Sequence, residues 1–354
     1  MEDESSLRCL IAAGGTAGHV LPALAIAEAL RERGVEVTFA GSPGRVEARL
    51  VADAGYPFDP FQVSGFPRQL DTRLITSAAQ AVAAPFACRA ILDRRRPDVV
   101  LGGGGYVAGP MVLAAWTKGI PAAVTEADAH VGLANRLASP FARRVFLAYP
   151  TEKERGFGRP IPSSSRVVPR YEARRELGLP LVGHVLLVAG ALAGARSLNE
   201  AAVEAFGQSG PAVLHLTGER DLALVRARVS RDDYVVLPSI ERFGVALGAA
   251  DLALARAGGS VWELAAAGLP AVLVPYPHAT ADHQTRNAEH FERAGGAVVL
   301  PDSSLRRAAD VVRTLLADEG ELAAMRQAML GAARPDAAEE IAEELVKLAT
   351  AARR

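Results

Sequence analysis

His19 closes the run "GGTAGH" (14–19), in which Gly14, Gly15 and Gly18 interleave with Thr16 just after the apolar stretch "RCLIAA". Glycines at that spacing turn a chain tightly after a strand. The exposed N–H groups, with the dipole of a following helix, favour a phosphate. Imidazole, whose unperturbed pKa lies near neutrality, can take up a proton during transfer. A plain packing role for this first turn stays open. "GGGGY" repeats the theme at Gly102, Gly103, Gly104, Gly105 and Tyr106. Each glycine adds about 1 kcal/mol of ordering cost relative to alanine, so four in a row point to close approach of a ligand.

Three further stretches carry polar chemistry. "TEADAHVGLANR" sets Glu126 and Asp128 past a strand end, as proton acceptors or as ordinary caps of the next helix. "RAGGSVWELAAAGLP" (256–270) places Gly259 and Ser260 before a helix whose first turn carries Glu263. "PYPHATADHQTRNA" (275–288) is a polar loop with His278, His283, Gln284 and Asn287. No Asp-x-Asp stands at a strand end, and the histidines at 278, 283 and 290 lack zinc spacing. No metal or other cofactor is therefore expected. Neither a serine elbow nor a Cys–His pair marks a hydrolase.

The elements that must hold these residues alternate. "RCLIAA" (8–13) is followed by the helix-like "LPALAIAEALRERG" (21–34), ending in a charged turn and Gly34. Short β-branched runs follow at 35–41, 98–105, 121–128 and 143–148. "HVLLVAGALAGARSLNEAAVEAF" (184–206) then restarts the pattern, with further strand-like runs ahead of it. Alternation of this kind predicts α/β architecture with parallel sheets covered on both faces. The restart predicts two doubly wound domains, 7–162 and 163–335, across the Gly/Pro/Ser-rich 156–170. A last helix, 336–354, is expected to pack back on the first domain. In such sheets, ligands bind beyond the carboxyl ends of the strands, where every stretch quoted above lies.

With 354 residues, half of them apolar, and a formal charge of −1, the composition is that of a globular protein with no nucleic-acid partner. "MEDESSLRCL" lacks the order of a signal peptide, no apolar run reaches bilayer length, and Cys9 and Cys88 read as unpaired thiols. A cytoplasmic location is expected.

Over nearly its whole length the chain resembles the MurG family of GT-B glycosyltransferases. The resemblance lies in "GGTAGHVLPALAIAEAL", "DVVLGGGGYVAGP", "GLANRLA" and "RAGGSVWELAAAGLPAVLVPYPHATADHQTRNA", in that order. It implies two Rossmann-like domains facing across a cleft and metal-independent, inverting transfer of N-acetylglucosamine from UDP-N-acetylglucosamine to the 4-hydroxyl of lipid I. It places Thr16, Ala17, Gly18 and His19 near the reacting centre, the first three also beside the donor. Gly14, Gly15, Gly102–Gly105 and Tyr106 would line the acceptor phosphates. His19, Glu126 and Asp128 are the candidate bases. Ile240 would lie by the uracil, Glu263 by the ribose, and Gly259, Ser260, His283 and Gln284 around the rest of the donor.

Departures cluster on the donor side. Leu192 stands where the family has a serine and Pro162 where it has an arginine, and the 256–263 segment is one residue short. Arg159 and Arg196 are the neighbouring cations that could compensate. A different nucleotide sugar, or a relative without turnover, stays open on these residues. "RLITSAAQAVAAPFACRAILDRRR" (73–96) reads as a helix packed on its own sheet with a solvated basic end. The resemblance turns it instead into a face for anionic membrane: Leu74, Ile75, Val82, Phe86 and Trp116, ringed by Arg89, Arg94, Arg95 and Arg96. Other cell-wall synthesis proteins are the remaining expected partners.

Overall fold

The computed structural model describes residues 6–63, 73–152, 156–190 and 193–353, with the backbone alone over 73–79 and at 81 and 82. Two compact units divide the chain: Met1–Pro162 together with Pro335–Arg354, and Ser163–Arg334.

In the first unit the strands are β1 (Arg8–Ala12), β2 (Glu36–Gly41), β3 (Phe58–Pro60), β4 (Val99–Gly102), β5 (Ala122–Glu126) and β6 (Arg144–Leu147). They are parallel, in the order β3-β2-β1-β4-β5-β6. The second unit has β7 (Val185–Ala189), β8 (Ala212–Leu216), β9 (Tyr234–Leu237), β10 (Leu252–Arg256), β11 (Ala271–Val274) and β12 (Ala297–Val299). Its order, β12-β11-β10-β7-β8-β9, is the same winding read from the other edge. Both are doubly wound, Rossmann-like sheets. Central strands such as β1, β4, β7 and β10 are buried along nearly their whole length because helices cover both faces, which is why they read as continuous apolar runs.

Strand order reverses between β1 and β4 in the first unit and between β7 and β10 in the second. At these points the loops leave for opposite faces and open a crevice beyond the strand ends. Register sets Ala12 beside Gly102, so the 13–16 and 103–107 loops leave the sheet side by side. Likewise Ala189 stands beside Ala255, so the chain leaves both strands side by side, at Gly190 and Ala257.

Two details differ from the sequence reading. The first helix runs Ala17–Glu32, taking in Gly18 and His19, rather than starting at 21. The edge strand β3 went unread, having three residues and ending in a proline. The C-terminal helix, Ala337–Arg353, buries Ile341, Ala342 and Leu345 against the helix Ala17–Glu32. Its end is tied by Arg353, which donates to Asp98 at 2.8 Å. In the second unit Arg174 is wholly buried, donating to Asp251 at 2.7 Å and to the carbonyls of Ala249, Pro180 and Gly183. Among the described residues no helix is long and apolar enough to cross a membrane.

Candidate functional site

At the first reversal point the two glycine runs lock into each other. Gly14 N–H donates to the Gly104 carbonyl at 3.3 Å and Gly103 N–H to the Ala12 carbonyl at 2.8 Å. A Cβ at Gly103 would stand 2.7 Å from that of Ala13, and one at Gly102 would stand 3.0 Å from Val112. Gly104 and Gly105 have φ of +97° and +74°, a region costly for other residues. A Cβ at Gly104 would lie 2.6 Å from His19 Cδ2, and one at Gly105 would strike the Gly14 carbonyl oxygen. So the four consecutive glycines are accounted for by close packing of loop on loop, and the expectation that only a ligand demands them is corrected.

The phosphate cradle needs a second correction. Gly15 N–H donates to Glu47 Oε2 at 3.2 Å, so it and Gly14 N–H are used inside the protein. The amides without an intrahelical carbonyl are those at the start of the helix, Ala17 and Gly18. Glu47 escaped the sequence reading, since nothing in its neighbourhood ties it to a turn 32 residues away.

His19 is half-buried in the first helical turn, its Nδ1 3.2 Å from both the Gly14 carbonyl and Thr16 Oγ1. A carbonyl can only accept, so Nδ1 carries a proton and, in the neutral ring, Nε2 keeps its lone pair. Tyr106 lies over Gly15, its ring 3.1 Å from where a Cβ would be.

Pro22 lies inside the same helix and has no N–H for the Gly18 carbonyl one turn back. Arg159 fills that gap, donating to Gly18 O at 2.6 Å and to the Ala127 carbonyl at 3.4 Å. It thereby ties the start of the helix to the loop after β5. Glu126, at the end of β5, is buried and accepts from Gly132 N–H at 2.9 Å, Asn135 Nδ2 at 3.0 Å and Asp128 N–H at 3.4 Å. Three donors on one carboxylate make it the organiser of residues 127–132. Asp128 is half-buried on that loop. Asn135, buried and bonded also to the Thr125 carbonyl at 3.0 Å, was missed; its only signal was an asparagine in "GLANRLA".

In the second unit, Glu263 lies in the first turn of the helix Val261–Ala266, and Gly259 and Ser260 are half-buried just before it. Ser165 donates to Glu263 Oε1 at 2.5 Å, a contact no motif announced. Gln284 Oε1 accepts from Tyr276 N–H at 2.9 Å, and His283 Nδ1 lies 2.9 Å from the Thr280 carbonyl. Ala281 and Asp282, at φ of +51° and +53°, hold the turn before them in a conformation that strains non-glycine residues. Ile240 is half-buried in the loop after β9. Leu192 lies outside the described residues. Arg196 opens the helix Arg196–Phe206, and both it and Arg220 donate to the buried Asp221, at 2.6 and 2.9 Å. Hydrogen bonds from Arg220, then Arg196, hold that carboxyl well below the usual range despite the opposing cost of burial. Both guanidiniums stay more than half exposed, at 54% and 58%. Among the described residues no three His, Cys, Asp or Glu are grouped to hold a metal ion.

On the helix Arg73–Arg95, Phe86 is 72% exposed, and on the helix Ala108–Thr117 Trp116, its ring tilted against Phe141 at 5.1 Å, is 56% exposed. Arg89 donates to Thr117 at 2.6 Å, joining these two helices, and Leu133 and Leu137 stand exposed on the next one. Two of the three arginines are not free: Arg94 and Arg95 pair with Asp59 at 2.8 and 2.6 Å, while Arg96 is exposed. The side chains of Leu74, Ile75 and Val82 lie outside the described part.

Comparison with known proteins identifies the family. Residues 9–147 match the glycosyltransferase family 28 N-terminal domain and 185–341 its C-terminal domain. A UDP-N-acetylglucosamine–N-acetylmuramyl-(pentapeptide) pyrophosphoryl-undecaprenol N-acetylglucosamine transferase of Acidithiobacillus ferrooxidans is 42% identical, over 96% of this chain and 97% of the relative. The protein of the same description from Methylococcus capsulatus is also 42% identical, over 95% and 97%. The crystal structure of Acinetobacter baumannii MurG superposes with a TM-score of 0.77 at 29% identity, covering 97% of this chain and all of that one. The chain belongs to glycosyltransferase family 28, among the UDP-N-acetylglucosamine–N-acetylmuramyl-(pentapeptide) pyrophosphoryl-undecaprenol N-acetylglucosamine transferases.

Proposed function

We propose that this chain moves N-acetylglucosamine from UDP-N-acetylglucosamine to the 4-hydroxyl of lipid I, forming lipid II. Family membership supplies the substrates, and the observation that carries the chemistry is His19. Its Nδ1–H is fixed on Gly14, and Nε2 is left as the base at the reversal point of the first sheet. The acceptor oxygen attacks the anomeric carbon as Nε2 removes its proton. The bond from that carbon to the β-phosphate oxygen breaks, UDP departs, and the configuration inverts. Glu126 serves this reading as the support of the neighbouring loop, and Asp128 is the second candidate base.

On the donor side, Glu263 accepts from the ribose hydroxyls, Ile240 lies by the uracil, and Gly259, Ser260, His283 and Gln284 surround the rest of the nucleotide sugar. Charge growing on the diphosphate falls to the start of the helix Arg196–Phe206 and to Arg196 and Arg220, two cations on one carboxylate. That arrangement answers the missing serine and arginine and asks for no metal. Turnover undiminished by a chelator is expected; restoration by added Mg2+ after chelation would refute that part.

Phe86, Trp116, Leu133 and Leu137, with Arg89 bonded beside Trp116 and an exposed Arg96 after the end of the helix, suit a surface that sits on anionic lipid while the substrate's tail stays in the bilayer. Salt-sensitive binding to anionic but not neutral vesicles is expected, weakened by Trp116→Ser. The reaction itself is tested with a lipid I analogue and a panel of UDP- and dTDP-sugars. Turnover with UDP-N-acetylglucosamine alone supports the reading, and turnover only with another sugar overturns it.

A further inference from the structure

We infer that Glu47 is a positioning residue for His19, acting through a single peptide group. Glu47 stands in the first turn of the helix Val46–Asp53 and is fully buried. Its Oε2 accepts from Gly15 N–H and its Oε1 from Ser42 N–H, each at 3.2 Å. The side chain is wedged between the ends of β1 and β2. A Cβ on Gly14 would lie 2.6 Å from Oε1, and one on Gly41 would lie 3.0 Å from Cγ.

The Gly15 N–H and the Gly14 C=O belong to the same peptide unit. That unit is planar and trans, so the two groups point in opposite directions and turn together. Glu47 holds the N–H end, and the C=O end receives His19 Nδ1–H at 3.2 Å. Gly104 closes the other side, with room for no Cβ beside His19 Cδ2. Rotation of the 14–15 peptide would break both hydrogen bonds at once. The carboxylate therefore fixes the imidazole's tautomer and tilt from beyond contact distance. A carboxylate bonded directly to a histidine does the same by touch; here one peptide is interposed.

The inference rests on the transferase reading only in its kinetic arm. In the full chain labelled with 15N-histidine, the His19 ring is expected as the Nδ1–H tautomer, its signals assigned among seven histidines by comparison with His19→Gln. Glu47→Gln offers one acceptor where two amides must be met, so the peptide reorients and His19 shows mixed tautomers. Turnover on the lipid I analogue then falls by about 10- to 100-fold in kcat, the loss expected for a displacement near 1 Å, with KM for UDP-N-acetylglucosamine unchanged. An Nε2–H tautomer in the wild type overturns the inference, and this arm decides the matter even if Glu47→Gln does not fold. So does a Glu47→Gln protein with wild-type kcat, or one that loses kcat while its His19 spectrum is unaltered. A wild type without turnover would refute the transferase reading and leave the spectra to judge Glu47.

Discussion

Alanine at Gly104 puts the packing of the two loops against the chemistry in one experiment. The backbone there has φ of +97°, and the added methyl would meet His19 Cδ2 at 2.6 Å. Non-glycine residues in such conformations cost about 1–3 kcal/mol. Carbon atoms rest about 3.5 Å apart, so the ring must retreat by about 1 Å, the difference between 3.5 and 2.6. A shift of that size near the reacting atoms costs on the order of 100-fold in rate. Gly34 supplies the control: its φ is +76°, and a Cβ would meet nothing within 4 Å. Gly104→Ala and Gly34→Ala should each lower Tm by roughly 2–12 °C. Only Gly104→Ala should lower kcat with the lipid I analogue. Equal kcat in the two variants would refute the claim that His19 is held by this loop.

The second unit offers two more tests. Ser165→Ala removes the donor to Glu263 and should raise KM for UDP-N-acetylglucosamine by roughly 10-fold, the low end of a charge-assisted hydrogen bond. KM for the acceptor should stay put, and an unchanged donor KM would dismiss the contact. His215 is fully buried between Tyr234 OH at 2.9 Å and Asn199 Oδ1 at 3.0 Å, and burial pushes its pKa from 6.5 down to about 3. Unfolding frees it to bind a proton near its ordinary value, so its stabilising effect is complete above pH 6.5. It is lost as pH falls from there towards 3, by up to about 1.4 kcal/mol per pH unit. Urea unfolding between pH 7 and 5 should show that slope, and His215→Gln should lack it; equal slopes would contradict it.

The fold was readable because alternation of short apolar strands with amphipathic helices is a local pattern, repeated after residue 184. What the glycines do was not readable locally. "GGGGY" names residues without room for side chains, yet the occupants of that room, His19, Ala13 and the Gly14 carbonyl, lie some ninety residues earlier. Separation along the chain likewise hid Glu47, 32 residues from Gly15, and Ser165, 98 residues from Glu263, each pair being joined only in the folded chain. Arg159 could have been inferred in part. A proline inside a helix leaves a carbonyl needing a donor, although the sequence does not say which arginine supplies it. The basic run 94–96 looked like free charge, and Asp59, from the unread strand β3, takes up two of its three arginines.

The most direct test of the account is UDP release from UDP-N-acetylglucosamine with a lipid I analogue, compared between the wild type and His19→Asn across pH. Expected is steady release by the wild type, with a β-linked product, and a loss of roughly 100- to 10,000-fold in the variant at every pH where the protein stays folded. Release by His19→Asn at the wild-type rate would contradict the assignment of the base, and none by the wild type would contradict the function.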